Sequence, residues 1–316
     1  MNNNNLISSQ NLVLESSFKE SFAGLHSVSR LVRIFLEIIK FKITILVSFT
    51  TGLGYILASN TISLSIFYPV IGIFLLACSA SALNHYQERN TDGLMKRTLH
   101  RPIPSGKISA GSVLLISFII FISGSAVLIY GTNILTLGVG YLTFVWYNGV
   151  YTPLKKITPW AIIPGSLVGA LPPLAGWVSA GGHLTDPRIM IVSLYFFIWQ
   201  IPHFWLLLML YSEDYKKGGF PTLTEIMSPD QLKRITFVWL LATVLIAMII
   251  PLFGLVNYSY SLLLLTLGSA WMIYVSVKFL YSTGSRKPVI SSFIKINFYT
   301  LFLITVLSLD KLIKLL

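Results

Sequence analysis

The chain has 316 residues, of which 54% are hydrophobic and only 11% are charged, and its mean hydropathy is +0.76. Soluble domains carry about 25% charged residues, so this composition excludes a water-soluble protein and indicates an integral membrane protein. The net charge of +12 would suit a nucleic-acid partner in a soluble protein, but here the placement of the basic residues gives another explanation. We therefore expect no nucleic-acid partner and a lipid bilayer as the surroundings.

Apolar runs of membrane-spanning length dominate the chain after a polar start. Residues 1–40 are expected to form a polar cytoplasmic tail, followed by a membrane domain over residues 41–316. A transmembrane helix needs roughly 20 mostly apolar residues. The sequence thus predicts an all-α bundle of nine transmembrane helices. The nine runs lie near 43–59, 62–82, 113–130, 133–151, 161–180, 189–211, 235–257, 260–281 and 292–309.

The positions of Lys and Arg predict the orientation of this bundle. With the N-terminus placed inside, twenty of the 23 basic residues fall in inner segments or at inner helix ends, and only Arg188, Lys311 and Lys314 lie outside. Basic residues concentrate on the cytoplasmic side of membrane proteins, so the N-terminus is predicted to be cytoplasmic. The same asymmetry explains the high net charge.

The first long inner loop begins with a row of oxygen-bearing side chains. Asn84, Glu88 and Asp92 are spaced i, i+4 and i+8, which places them on one face if the second transmembrane helix continues. Carboxylates at that spacing repel one another, and a bound cation would reverse the sign of that term. One amide and two carboxylates, completed by substrate phosphates, form a ligand set that suits Mg²⁺.

Basic residues follow these acids, and a second inner loop repeats the order. Arg97, Arg101 and Lys107 come after the first set, and in the second loop Asp214 precedes Lys216. Acids and bases in two loops on one side suggest a diphosphate that is clamped by Mg²⁺ and by basic side chains. Two other interpretations remain open at this point. The charges could be ordinary solvated helix-end pairs, or they could belong to a cation-coupled transporter.

Further motifs occur in a fixed order along the chain: Asn84-x3-Glu88-x3-Asp92, Arg101-Pro102, Tyr151-Thr-Pro-Leu-Lys-Lys156, Trp199-Gln-Ile-Pro-His203-Phe204 and Asp214-Tyr-x3-Gly219-x-Pro221. Together they resemble the UbiA-type intramembrane prenyltransferases. The Trp199–Phe204 block and the Arg-Pro ending resemble the protoheme IX farnesyltransferase (heme O synthase) branch. The resemblance covers about residues 40–310. Two positions depart from the family pattern: Glu88 stands where Asp is usual, and Thr222 follows Pro221 where Met is usual.

This resemblance implies a reaction. Heme b, as a substrate, would react with farnesyl diphosphate and water at a vinyl group, giving heme O and diphosphate in a bacterial cytoplasmic (inner) membrane. The active site would face the cytoplasm, and heme O could pass to a heme A synthase. The alternatives are a UbiA-type enzyme that acts on a quinone precursor and the transporter.

The resemblance also implies residue roles. Asn84, Glu88, Asp92 and Asp214 would be the catalytic and Mg²⁺-binding set. The diphosphate would be bound by the basic residues Arg97, Arg101, Lys107, Lys155 and Lys216. An ionisable residue within a membrane span is a functional candidate, so His203 is expected to contact heme, with Trp199 and His85 as further heme contacts. The ordinary alternative for His203 is a hydrogen bond to a backbone carbonyl freed by Pro202.

Overall fold

The computed structural model describes residues 29–283 and 285–316, and every regular element within them is helical. The predicted all-α class is therefore confirmed. A π-helical segment, Trp146–Tyr151, joins the helix Ile134–Val145 to the short helix Thr152–Leu154. The helices are α1 (29–38), α2 (Phe41–Ala58), α3 (Phe67–Asp92), α4 (Ala110–Gly131), α5 (Ile134–Val145), α6 (Thr152–Leu154), α7 (Ile162–Gly165), α8 (Leu167–Ser179), α9 (Pro187–Lys217), α10 (Pro229–Ile249), α11 (Ser259–Leu280) and α12 (Arg286–Leu315).

Eight helical segments of the described residues are long and apolar enough to cross a membrane, which makes the chain a multi-pass membrane protein. The segment that corresponds to the predicted fourth span, 133–151, is not among them. It is a regular α-helix only over Ile134–Val145 and continues as the π-helical segment. The count of nine spans and the cytoplasmic N-terminus stay predictions. The eight segments are Phe41–Ala58, Leu64–Asp92, Ala110–Gly131, Pro159–Ser179, Pro187–Lys217, Pro229–Phe253, Ser259–Leu280 and Arg286–Leu315.

Helix α1 lies within the range that the sequence assigns to a polar tail. Residues 1–28 of that range lie outside the described residues, whereas residues 29–38 form a helix. Ile34 and Ile38 of this helix are buried and pack with Ala82 and Val113 of α3 and α4. Two apolar side chains one helical turn apart therefore attach α1 to the bundle.

Small residues let the helices that surround the candidate site approach closely. Gly54 of α2 has no room for a Cβ atom, which would overlap the carbonyl oxygen of Pro173, and a Cβ atom on Gly176 of α8 would overlap the carbonyl oxygen of Thr51. Membrane helices associate through close backbone packing of this kind, since lipid offers little hydrophobic driving force. The α2–α8 contact fixes two walls of the cavity described below.

The buried carboxylate of Asp310 on α12 holds the turn between α10 and α11 through hydrogen bonds. Asp310 is 1% exposed and accepts hydrogen bonds from the backbone N–H groups of Asn257 and Tyr258, at 2.8 and 3.1 Å, and from the Asn257 side chain at 2.7 Å. All three donors point at one acidic group. The carboxylate therefore replaces water as the partner of this turn.

Replacing Asp310 by asparagine is expected to destabilise the protein without touching the site. The amide offers one acceptor oxygen in place of two, which leaves a buried donor unpaired at a cost of about 2 kcal/mol. Thermal unfolding of the detergent-purified protein measures the effect. The matched control is Asp230→Asn, since the Asp230 side chain is 76% exposed. Equal unfolding midpoints for the two variants would contradict this account.

Candidate active site

A cavity of about 310 Å³ lies where α3 ends, enclosed by α2, α3, the α5–α6 segment, α8 and α9. Along α3 its lining changes from Asn84, Glu88 and Asp92 to Ile73 and Leu76. At 1.5 Å per residue, the stretch from Asp92 to Ile73 is about 28 Å long. One end of the cavity is thus charged, and the other end is a long apolar chamber.

The structure brings the three oxygen-bearing residues of α3 together on the cavity wall. Asn84, Glu88 and Asp92 are all buried, with 1%, 5% and 0% exposure. They share a face because α3 remains helical as far as Asp92. The helix extension inferred from their spacing is therefore found.

Each of these three residues contacts a basic side chain that also lines the cavity. Lys155 forms an ion pair with Glu88. The other two pairs are formed by Arg101 and Lys40. Arg101 donates to both carboxylate oxygens of Asp92, at 2.8 and 2.7 Å, and Lys40 donates to Oδ1 of Asn84 at 2.7 Å. Arg101 and Lys155 thus pair with the two buried carboxylates, whereas the partner of Lys40 is a neutral amide.

Lys40 is a site residue that the sequence motifs do not single out. It joins α1 to α2 in a left-handed conformation with φ 49°, and this turn directs its side chain to Asn84. Burial lowers the pKa of the Lys40 ammonium from 10.5 to about 7, and the charge of Arg101 lowers it as well, while Glu88 raises it. An anionic ligand in the cavity would favour the charged form of Lys40. Its only sequence signal is its position directly before an apolar run.

Arg97 and Asp214 connect the two loops. Arg97 lines the cavity, and its guanidinium lies over the rings of Tyr211 and Tyr215, at 5.4 and 5.8 Å. Its backbone N–H donates to Oδ2 of Asp214 at 3.0 Å. Asp214 is not among the residues that line the cavity. The Asp214 carboxylate therefore contacts the backbone of Arg97 and not the cavity.

Two predicted diphosphate-binding lysines do not reach the cavity. Lys107 is exposed, and its ammonium donates to the carbonyl oxygen of His100 at 3.0 Å. Lys216 has a side chain that is 36% exposed and lies 3.7 Å from Glu213. Both flank the charged end of the cavity in sequence, but neither lines it.

The three predicted heme contacts lie behind the cavity wall. The His203 ring lies between the rings of Trp199 and Phe293, with both pairs of ring centres 4.8 Å apart, whereas the adjacent Phe204 lines the cavity. His85 is 1% exposed. Within the part of the chain that the structure describes, Nδ1 of His203, Nε1 of Trp199 and both ring nitrogens of His85 have no hydrogen-bond partner. The proposed bond from His203 to a freed carbonyl is therefore not seen through Nδ1.

Three polar residues of the wall were not predicted to be site residues, although Tyr151 and Gln200 lie inside quoted motifs. Tyr147 and Tyr151 both line the cavity, and their ring centres are 5.9 Å apart. They come from the π-helical segment, which sequence periodicity does not reveal. Gln200 accepts a hydrogen bond from the backbone N–H of Gly169 at 3.1 Å. It lies inside the Trp199–Phe204 block, which directed attention to the neighbouring Trp199 and His203.

The oxygen-bearing side chains of Asn84, Glu88 and Asp92 could supply part of the ligand shell of a metal ion. Among the described residues, no three His, Cys, Asp or Glu side chains lie close enough together to hold a metal by themselves. Mg²⁺ is usually bound through one or two carboxylates, with phosphates and water completing the shell. Glu88, Asp92 and the Asn84 amide fit such a site, in which a bound phosphate group and water supply the remaining ligands.

The fold and the cavity together define a class: a multi-pass membrane protein that can hold an anionic head group at one end of a long apolar chamber. Comparison with known proteins identifies the family. The model of the UbiA prenyltransferase family matches residues 46–299. The chain belongs to this family, in its protoheme IX farnesyltransferase branch.

Sequence relatives support the branch and solved structures support the fold. The "Protoheme IX farnesyltransferase" of Solibacter usitatus is 33% identical over 260 residues, which cover 78% of this chain and 88% of that protein. The protein of the same name from Synechococcus sp. is 32% identical over 293 residues, covering 92% and 88%. The UbiA homologue from Archaeoglobus fulgidus bound to GPP and Mg²⁺ has a TM-score of 0.63 at 15% identity, covering 87% of this chain and 99% of its own.

Proposed function

We propose that the protein transfers a farnesyl group from farnesyl diphosphate to a vinyl group of heme b, with addition of water, to give heme O and diphosphate. The observation that carries this proposal is the cavity, in which paired acids and bases lie at one end of an apolar chamber. The relatives named protoheme IX farnesyltransferase support heme as the acceptor. A quinone precursor as acceptor and the transporter are not favoured by these relatives.

The charged end of the cavity suits the diphosphate group. Asn84, Glu88 and Asp92 would hold Mg²⁺, which neutralises charge that develops on the leaving diphosphate. Arg97 and Arg101 line the same end and carry donors that match phosphate oxygens. Lys40 and Lys155 also line it. Asp214 stays a predicted metal ligand, and Lys107 and Lys216 stay predicted diphosphate ligands, although none of the three lines the cavity in this structure.

The apolar chamber suits the isoprenoid chain. Ile43 and Val47 of α2, Phe144 and Phe204 line it together with the apolar residues of α3. Loss of diphosphate leaves an allylic cation, which water would quench before it met the electron-rich vinyl group. A wall of apolar side chains excludes water from that carbon until the new bond has formed.

The heme contacts are proposed through the wall next to Phe204. Trp199 and His203 lie one helical turn apart on α9, and among the described residues Nε1 of Trp199 and Nδ1 of His203 have no hydrogen-bond partner. His85 lies next to Asn84 and is a further candidate.

The proposed location follows from the charge distribution. In the predicted nine-span topology, twenty of the 23 Lys and Arg residues fall on the side that carries the acid-and-base loops. We therefore place nine spans in the bacterial cytoplasmic membrane, with the N-terminus and the active site facing the cytoplasm. Heme O released there would be available to a heme A synthase.

An assay in isolated membranes tests the reaction. Membranes that contain the protein are incubated with heme b, farnesyl diphosphate and Mg²⁺, and heme products are identified by mass. We expect a hydroxyethylfarnesyl adduct that requires both farnesyl diphosphate and Mg²⁺ and that is absent from membranes without the protein. Heme returned unchanged, together with prenylation of an aromatic quinone precursor, would establish the alternative acceptor. If neither product forms, the transporter alternative is tested next by measuring ion flux across the membrane.

A further inference from the structure

In the π-helical segment, the backbone carbonyl of Tyr147 accepts two hydrogen bonds from one residue, Thr152. In such a segment the hydrogen bonds run from N–H to the carbonyl five residues earlier rather than four. The carbonyl oxygen of Tyr147 accordingly accepts from the backbone N–H of Thr152. The Thr152 hydroxyl donates to the same oxygen at 2.9 Å. The backbone geometry therefore determines where the hydroxyl proton points.

That hydroxyl then determines the orientation of a site residue. A threonine hydroxyl has one proton, so Thr152 can only accept from any other neighbour. The neighbour is Nδ2 of Asn84, at 3.2 Å. Both residues are buried, with 2% and 1% exposure, so water is not available as a substitute partner.

The opposite end of the amide is consistent with this orientation. Oδ1 of Asn84 accepts from Nζ of Lys40 at 2.7 Å, and Lys40 in its charged form, which an anionic ligand in the cavity favours, can only donate. A flipped amide would point Nδ2 at the ammonium and Oδ1 at a hydroxyl whose proton is already used. Both contacts would then be repulsive, so the pair of neighbours selects a single orientation.

We propose that Thr152 is a positioning residue that holds the Asn84 amide with its oxygen toward the cavity. This inference rests on the proposed function, in which that oxygen helps bind a metal–diphosphate group. Thr152 itself does not line the cavity and acts only through Asn84. Partners that orient a metal ligand typically contribute 10- to 100-fold to affinity.

The test is a double-mutant cycle on ligand binding. Isothermal titration calorimetry measures the affinity of the detergent-purified protein for inorganic diphosphate in the presence of Mg²⁺. Thr152→Val keeps the shape and removes the hydroxyl, so we expect binding about 10-fold weaker or more. Thr152→Ser restores the hydroxyl and should bind within roughly threefold of wild type. Asn84→Asp places an oxygen at both ends of the side chain, so adding Thr152→Val to it should cost roughly threefold or less.

The controls separate a positioning role from a structural one. Thr236→Val removes another buried hydroxyl, which donates to the carbonyl of Leu232 at 2.7 Å in α10, and it should bind like wild type. Thr152→Ala, which crowds nothing, replaces Thr152→Val if the valine variant does not fold. If Asn84→Asp alone abolishes binding, the contrast between Thr152→Val and Thr152→Ser decides.

The outcomes also distinguish this inference from the proposed function. Wild-type protein that binds no diphosphate with Mg²⁺ would overturn the proposed function, and the inference with it. Normal wild-type binding that Thr152→Val leaves unchanged would overturn the inference alone. An equal loss from Thr152→Val in the wild-type and Asn84→Asp backgrounds would do the same, because a structural role does not depend on the orientation of an amide.

Discussion

Replacing Asp92 by asparagine is expected to lower the turnover of farnesyl transfer at least about 10²–10³-fold. Asp92 is fully buried at the charged end of the cavity, and both of its carboxylate oxygens accept hydrogen bonds from Arg101. The amide carries no negative charge, so it binds Mg²⁺ poorly and no longer orients the guanidinium. The measurement is the rate of heme O formation in membranes, normalised to the amount of folded protein.

The same substitution has a separate cost in stability. Arg101 keeps its charge, its side chain is only 17% exposed, and it loses its acidic partner. Removing one member of a buried ion pair costs on the order of 3 kcal/mol, since the other charge stays buried. Thermal unfolding of the variant is therefore measured beside its activity.

Asp230→Asn provides the control for Asp92→Asn. Asp230 forms an ion pair with Lys233 at 3.4 Å, but its side chain is 76% exposed and it does not line the cavity. Both its turnover and its unfolding midpoint should equal those of wild type. Turnover of Asp92→Asn at the wild-type level would remove Asp92 from the proposed metal site.

The parts of the fold that follow from the sequence are those determined by local pattern. Apolar runs predict membrane helices because the backbone must satisfy its own hydrogen bonds in lipid. The spacing of Asn84, Glu88 and Asp92 predicts one shared face because the side chains of a helix repeat every 3.6 residues. The structure shows both features, and it also places Arg97 and Arg101 next to them.

The parts that the sequence does not reveal depend on tertiary contacts. Lys40 looks like any basic residue at the start of a membrane span, and only its left-handed turn brings it to Asn84. Tyr147 and Tyr151 reach the cavity through a π-helical segment, which has no hydrophobic period of its own. Asp214 carries the expected charge in the expected loop, but its oxygen contacts the backbone of Arg97. Charge and spacing therefore identify candidate site residues in a loop, but they do not determine which group each side chain contacts.

Replacing Lys155 by methionine is expected to change the affinities for Mg²⁺ and for diphosphate in opposite directions. Lys155 forms an ion pair with Oε1 of Glu88, which is 5% exposed, so the ammonium occupies a carboxylate oxygen that Mg²⁺ would use. Its removal leaves a carboxylate without a partner, which favours Mg²⁺ binding in the absence of substrate. When diphosphate is present, the variant lacks one donor to the phosphate oxygens. That loss should weaken binding about 10- to 100-fold, as for a hydrogen bond between charged groups.

This opposition follows from the way in which the charges of the cavity are paired. Without a ligand, the basic side chains neutralise the very groups that are proposed to hold the metal. Binding of a metal–diphosphate would therefore exchange partners: Lys155 and Arg101 would move from carboxylate oxygens of the protein to oxygens of the phosphate, and the metal would take their place as the partner of Glu88 and Asp92. Calorimetric titration with Mg²⁺ alone, and then with diphosphate at saturating Mg²⁺, measures both affinities on one sample. Lys233→Met is the control, because that lysine pairs with exposed Asp230. A Lys155→Met variant in which both affinities fall together would mean that Lys155 supports the shape of the site and does not compete for Glu88.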